Sequence, residues 1–486
     1  MPPKKKTTKS VKKKAASAKK STASKKASKV APKKKVTAKK TAPKKAASGS
    51  AKKITKVNKS VRTPQSLRGM RDIHPKDAAI WKELFHNAEN IAESYGFARL
   101  QTPILEEASL FIKSIGKGTD IIDKEMYVFD FDGNKLALQP EMTAVAVRSF
   151  INHGMHVDPQ PVKMWYFSPM YRHDRPQAGR YRQFYQFGAE TFGEKNPVID
   201  AELIVAAYNF VKDCGIDAQV RVNSIGSLED RKNYIVELVG YLRSKRSYLS
   251  EESKKRINKN PLRILDSKDE GDRMVIEDAP QIIDWLSEDS KNYFMKILEY
   301  LDELEVPYVL DPTLVRGLDY YCDTVFEIFY ESHDEESNMK ELALGGGGRY
   351  DGLVEMLGGQ PTDGCGFSMG VDRLALILKQ RQAQEGILTS KKPCVYMAHL
   401  GDQANRRMLK IIEDLRREGI QVKHNLAKAS LKGQLEQASR QGCSHAFILG
   451  QKEVQDGTII VRDMDSGSQE TIDQKKIGRE ITKLLG

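Results

Sequence analysis

From Trp81 to Tyr95 the apolar residues Trp81, Leu84, Phe85, Ala88, Ile91 and Ala92 recur at intervals of three and four. That spacing puts them on one side of a helix, which Gly96 ends as a C-cap glycine. In "FARLQTPILEE" the pattern becomes that of a strand interrupted at Pro103, whose missing N–H confines it to an edge or a boundary. "MYVFDFDGNKLALQPE" predicts a hairpin turning at Asp132-Gly133-Asn134. "PVKMWYFSPMYR" and "RQFYQFGAETFG" predict two more strands with a basic loop between them. Residues 223 to about 309 are mostly charged and helical, with little strand signal, which reads as an insertion. "LVRGLDYYCDTVFEIFY", "LALGGGGRYDGL" and "GCGFSMGVDRLALIL" restore strand, glycine-rich and helix patterns. After the polar linker "RQAQEGILTSKKP" strands and helices alternate, with strands in "CVYMAHL", "IQVKHNL" and "HAFILG". This predicts a small α/β unit with some parallel strands.

Composition changes the picture mainly through where the charge lies. The 486 residues suffice for two or three domains, and no apolar run reaches the ~18 residues needed to span a bilayer. Five cysteines, odd in number, far apart and never in C-x-x-C spacing, argue against a disulfide framework or a zinc site and suit a reducing cytoplasm. The net charge of +14 belongs to residues 1–60, which hold 23 lysines and no acidic side chain. The remaining 426 residues carry 56 basic side chains against 65 acidic ones. A tail of Lys, Ala, Ser, Thr, Pro and Val without aromatics has too little apolar surface to order itself. It is expected to bind phosphate backbones non-specifically by counterion release, the alternative being a solubilising tail without a partner.

The chemistry concentrates in a few stretches. "MYRHDRPQAGRYRQFYQFGAETFG" places four arginines between Arg172 and Arg182, either a solvated hairpin tip or a clamp for an anion such as a nucleotide phosphate. In the following strand Phe184, Gln186, Gly188 and Glu190 share one face, which suits a polar ligand better than a dry core. "LQPEMTA" offers a carboxylate, Glu141, that could hold an ammonium, and a hydroxyl, Thr143, that could equally cap a helix. In "LVRGLDYYCDTVFE", Arg316 stands beside Tyr320 and Tyr321, which offer hydrogen-bonding walls for a small polar ring. The run Gly345, Gly346, Gly347 and Gly348 permits unusual backbone angles or a ligand pressed against the main chain, and is not a Walker loop. Arg373, in the first turn of an apolar helix, opposes the macrodipole unless it serves another purpose, such as holding a triphosphate.

Together these stretches resemble the class II aminoacyl-tRNA synthetases, and among them the histidyl-tRNA synthetases, in order from about Ser66 to Gly486. "MYRHDRPQAGRYRQFYQFGAE" is similar to motif 2 and "GFSMGVDRL" to motif 3. "RGLDYY" and "GGGGRYDGL" resemble the two segments peculiar to the histidine enzymes, and "LQPEMTA" their bacterial form. The resemblance implies an α+β fold: a catalytic domain over 61–388 built on a six-stranded antiparallel sheet flanked by helices, with a helical insertion at about 223–309. It also implies a C-terminal α/β anticodon-binding domain over 389–486 and a homodimer with Pro103 at its interface. The implied reaction joins L-histidine to its tRNA through a histidyl-adenylate, with ATP as substrate and Mg²⁺ on its phosphates; no metal-binding residue is assigned. By position Arg172 would hold the α-phosphate, Arg316 the charge developing on it, and Arg180 and Arg373 the rest of ATP. Glu141, Thr143, Gln186 and Glu190 would hold the amino acid. Tyr320, Tyr321 and the four glycines would shape the imidazole pocket. Gln139 stands where the family usually has arginine, and Asp372 where it usually has glutamate.

Two other readings bear on the same residues. A histidine-sensing regulatory paralogue that partners ATP phosphoribosyltransferase generally lacks the anticodon domain and erodes the catalytic arginines, whereas Arg172, Arg316, Arg373 and residues 392–486 are all present here. A nucleic-acid compaction protein centred on the tail would not need the pocket residues. Deleting residues 1–60 should lower affinity for tRNA and flatten its salt dependence while leaving the tRNA-independent half-reaction intact. An unchanged KM for tRNA and an unchanged salt slope would exclude that role for the tail.

Overall fold

This computed structural model describes residues 63–116, 118–331, 342–384 and 394–485. The lysine-rich tail of residues 1–60, linker residues 385–393 and the expected domain boundary at 388/389 lie outside the described residues. Helix α1 (Ala78–Ser94) buries Ile80, Trp81, Leu84, Ala88, Ile91 and Ala92, and Gly96 follows it at φ +76°. Pro103 divides the strand expected next into β1 (Ala98–Arg99) and β2 (Leu105–Glu107), which pair in different sheets. After α2 (Ala108–Ile115) come β3 (Val128–Phe131) and β4 (Asn134–Leu138), joined through Asp132 and Gly133 at φ +50° and +79°. Two consecutive positive φ values give the two-residue turn whose twist matches that of the strands. Strands β2, β4 and β3 form a small antiparallel sheet.

The long strands of the large sheet begin after α3 (Thr143–Asn152), with β5 (Val162–Tyr171), β6 (Gln183–Phe192), then α4 (Pro197–Asp213) and β7 (Ala218–Ser224). Helices α5 (Leu228–Ser244), α6 (Glu251–Arg256), α7 (Glu270–Glu277) and α8 (Glu288–Glu303) follow. Then come β8 (Tyr308–Leu310), β9 (Cys322–Tyr330), β10 (Ala343–Arg349), α9 (Leu353–Met356), β11 (Gly364–Gly370) and α10 (Val371–Gln384). The strand order is β1-β5-β6-β11-β10-β9-β7-β8. Its six central strands are antiparallel throughout, and β1 and β8 extend it by parallel pairing at either edge. The stretch 223–309 therefore starts within β7 and ends within β8. Its last helix, α8, buries Phe294, Ile297 and Leu301 in the same core as Phe210 of α4 and Phe187 of β6. Helices α5 to α7 build a second cluster around Tyr234, Leu238 and Ile264, which meets Phe150 and Phe192.

The C-terminal elements are β12 (Val395–His399), α11 (Asp402–Arg417), β13 (Lys423–His424), α12 (Leu431–Arg440), β14 (His445–Leu449), α13 (Gln451–Asp456), β15 (Thr458–Asp463), β16 (Gln469–Asp473) and α14 (Ile477–Leu485). In the order β13-β12-β14-β15-β16, β12 is parallel to both of its neighbours and the last two pairings are antiparallel.

The four consecutive glycines prove to be a strand, with Gly347 opposite Phe367 of β11 and Phe326 of β9. A Cβ on Gly347 would lie 2.0 Å from the Gly366 carbonyl oxygen, and one on Gly346 2.2 Å from that of Phe326. The run thus lets three strands approach closely at the centre of the sheet. Gly347→Ala should cost about 3 kcal/mol or more in chemical denaturation, the upper end for overpacking. Gly352→Ala, where nothing lies within 4 Å, should be near neutral. Equal effects would contradict this packing.

Candidate active site

One face of β6 and the segments beside it enclose a cavity of about 460 Å³. Side-chain alternation points Phe184 and Gln186 of β6 into it, while Phe187 and Ala189 enter the core on the other face. The loop between β5 and β6 supplies Arg172 and Arg180, the start of α3 supplies Glu141 and Thr143, the chain before β9 supplies Arg316, Tyr320 and Tyr321, and α10 supplies Arg373. Of the four glycines only Gly345 lines the cavity. Gly346 packs near the Arg316 guanidinium and Gly348 near the Tyr321 ring.

At one end the site is an anion cradle. Arg316 pairs with Glu327 of β9, and Arg180 with Asp174 at 3.2 Å. Arg172 donates through Nε to the Pro140 carbonyl at 2.8 Å and lies 5.4 Å from the Phe184 ring centre, and Arg373 donates to the Ala343 carbonyl. Among the described residues neither Arg172 nor Arg373 has a carboxylate within ion-pair distance. Burial and the neighbouring Arg180 push Arg373 down to about 10, Glu327 opposing and Arg172 and Arg316 adding to the shift. Burial also lowers Arg172. Cations gathered in a partly dry cleft suit a polyanionic ligand.

The other end is acidic and hydroxyl-lined. Both Glu141 oxygens accept from the start of α3, from Thr143 N at 2.7 Å and Ala144 N at 3.0 Å, so the carboxylate caps the helix and faces the cavity at once. Glu190 is not among the lining residues; it lies behind Thr143 and Tyr166. Its Oε1 accepts from Thr143 Oγ1 at 2.8 Å and Tyr166 Oη at 3.1 Å, and its Oε2 from Tyr350 Oη. Complete burial pushes Glu190 up to about 8, against the pull of its hydroxyl donors. Among the described residues the buried Gln186 Oε1 has no hydrogen-bond partner, which leaves an acceptor for a ligand. The space over Gly188 is filled by the Tyr166 hydroxyl, 2.4 Å from where a Cβ would stand. Gly366 in turn makes room for the Glu190 carboxylate.

Two family models match this chain, "Histidyl-tRNA synthetase" over residues 69–374 and "Anticodon binding domain" over residues 394–484. A histidine--tRNA ligase of Dehalococcoides mccartyi is 42% identical over 423 residues, spanning 87% of this chain and 100% of that protein. The chain belongs to the histidyl-tRNA synthetase family. Among solved structures it is similar to an apo histidyl-tRNA synthetase of S. aureus, with 32% identity, a TM-score of 0.71 and coverage of 87% of this chain and 100% of the other. A histidyl-tRNA synthetase from Nostoc sp. PCC 7120, at 20% identity and TM-score 0.61 over 88% of this chain and 100% of the other, supports the fold alone.

Within this synthetase frame the two unusual residues have structural roles. The fully buried Gln139 amide donates to Ser168 Oγ at 2.9 Å and the Pro169 carbonyl at 2.7 Å, away from the cavity lining. Asp372 accepts from Arg71 at 2.6 Å and from Tyr185 N at 2.7 Å, and Arg71 lies over the Tyr181 ring at 4.1 Å. The shorter carboxylate thus ties the segment before α1 to α10. Sequence reasoning missed Tyr166, Glu327 and Tyr350. Glu327 could have been found as the lone carboxylate in the apolar strand "TVFEIFY".

The Glu190 shift sets a pH dependence. The native carboxyl keeps its proton up to about pH 8, whereas the unfolded one loses it near 4.5, so stability contributed by the protonated form is lost as pH rises between those values. Glu190→Gln should flatten the decline in unfolding temperature across that window; an unaltered slope would refute a protonated Glu190.

Proposed function

We propose that this chain ligates L-histidine to its tRNA, and that the unpaired arginines beside an acidic, hydroxyl-lined pocket carry the reading. An amino acid brings an ammonium to Glu141, Thr143 and Gln186, with Glu190 behind Thr143 and with Tyr320 and Tyr321 as walls for the imidazole. ATP brings its triphosphate to Arg172, Arg180, Arg316 and Arg373. The histidine carboxylate oxygen attacks the α-phosphorus, the bond to the bridging oxygen breaks, and pyrophosphate leaves with that electron pair. Arg172 and Arg316 stabilise the charge that develops on the α-phosphate oxygens. A ribose hydroxyl of the tRNA's terminal adenosine then attacks the acyl carbon and AMP departs.

Mg²⁺ would neutralise phosphate charge. The one group of three metal-ligating side chains among the described residues, Cys322, Asp323 and Asp351, lies off the cavity, and Lys195 already sits 3.0 and 2.9 Å from its two aspartates. The cavity lining suits an ion carried in on the nucleotide and met by Glu327, since Mg²⁺ usually takes one or two protein carboxylates and keeps its waters.

The remaining features fit the same assignment. Ile104, Leu105, Val128, Phe129 and Phe131 are exposed on or next to the small β2-β4-β3 sheet, a surface we assign to a homodimer contact beside Pro103. No helix among the described residues is long and apolar enough to cross a membrane, and the cytoplasm is the proposed compartment. The retained arginines and the matched C-terminal domain disfavour the histidine-sensing regulatory paralogue. ATP–pyrophosphate exchange without tRNA should proceed with histidine and with none of the other nineteen amino acids. Arg316→Ala should lower it by about 10²–10³-fold. Exchange driven by another amino acid, or none at all from folded protein, would overturn the assignment.

A further inference from the structure

The C-terminal sheet carries a feature that the ligation reaction does not use. Cys394 directly precedes β12, and Cys443 lies in the turn between α12 and β14. Strands β12 and β14 run parallel with Val395 opposite His445, and Ser444 N donates to the Cys394 carbonyl at 3.0 Å. The backbone thereby holds both cysteines at the same end of adjacent strands, and their Sγ atoms lie 2.9 Å apart. Small side-chain rotations bring such sulfurs to bonding distance without moving the strands. Cys443 is buried among Tyr396, Ala438 and Ala446, whereas Cys394 sits half-buried at the edge of that cluster.

We propose that Cys394 and Cys443 are an oxidative modification site, at which a peroxide or a small-molecule disulfide converts the two thiols into a disulfide within the C-terminal domain. With hydrogen peroxide, the more accessible Cys394 thiolate attacks one oxygen, the O–O bond breaks and the first water leaves, giving a sulfenic acid. The Cys443 sulfur then displaces the sulfenic oxygen as a second water. Two thiols lose two electrons and two protons, and the peroxide gains both. With a disulfide oxidant, Cys394 attacks its S–S bond, one thiol leaves, and Cys443 displaces the second. The other cysteines are poor competitors. Burial pushes Cys214 up to about 12 and raises Cys322 and Cys365 further, so little thiolate forms at neutral pH. The bond would close a loop between positions 49 apart and fix the chain where it leaves the linker, stiffening the domain matched as anticodon-binding.

The full-length protein is treated with hydrogen peroxide, alkylated, digested without reduction and mapped by mass spectrometry. A Cys394–Cys443 peptide pair two hydrogens lighter than its parts is expected, formed about tenfold faster than any change at Cys214, Cys322 or Cys365 and reversed by dithiothreitol. In Cys443→Ser the sulfenic acid at Cys394 should accumulate and be trapped by dimedone. Sulfinic acid at Cys394 in the unsubstituted protein, a cross-link between two chains, or recovery of both cysteines alkylated after the other three have reacted would each overturn the proposal.

Discussion

The structure turns on positive charge that the fold gathers in one cleft and neutralises only in part. Arg172 and Arg373 are half-buried in one cleft with only main-chain carbonyls as acceptors among the described residues, and Arg180 and Arg316 add to the same field. Folding without ligand therefore strains Arg373 by desolvation and by the repulsion of its cationic neighbours, while Glu125 and Glu141 support the charge on Arg172. In the proposed function the negative charge of a triphosphate would offset that repulsion. In the proposed reaction the same pre-set charge would face the α-phosphate and need no reorganisation as negative charge grows there.

Holding the cradle in place takes a central strand almost free of side chains. Gly345 to Gly348 and Gly366 bring β9, β10 and β11 close together, so Arg316, which pairs with Glu327 of β9, faces the Glu141–Thr143 corner across one small cavity. Glu190 is the anchor on the acidic side. Its two oxygens collect hydroxyls from Thr143 of α3, Tyr166 of β5 and Tyr350 after β10, tying three elements to β6. On the far face, the fully buried Arg349 pairs with Asp200 of α4 and with Asp351, locking the end of the glycine strand against the helical layer.

Much of this was legible in the sequence because the chemistry sits in contiguous stretches. The arginine loop, "LQPEMTA", "RGLDYY" and the motif at Asp372-Arg373 each reach the cavity, and the alternation along β6 gave the correct face for Gln186. What stayed hidden depends on contacts between distant segments. Tyr166 and Tyr350 look like ordinary apolar-strand aromatics until Glu190 is seen between them. The glycine run suggested a ligand loop, but its bare faces accommodate neighbouring strands, and only Gly345 reaches the cavity. Strands of two or three residues such as β1 and β8 are too short to show a period, so the two parallel edges could not be read. Residues 223–309 read as one helical insertion because α8 is as charged on its outer face as its neighbours; only its buried Phe294, Ile297 and Leu301 place it in the main core.

The claim that the arginine cradle is strained until it meets a polyanion is tested most directly by comparing unfolding temperatures of the wild-type chain and Arg373→Met, each with and without saturating ATP. Removing one of the repelling cations should leave the ligand-free variant at least as stable as the wild type, while the stabilisation by ATP largely disappears. A ligand-free variant clearly less stable than the wild type, with the ATP-induced rise intact, would show that Arg373 is a structural residue and that the phosphates are held elsewhere.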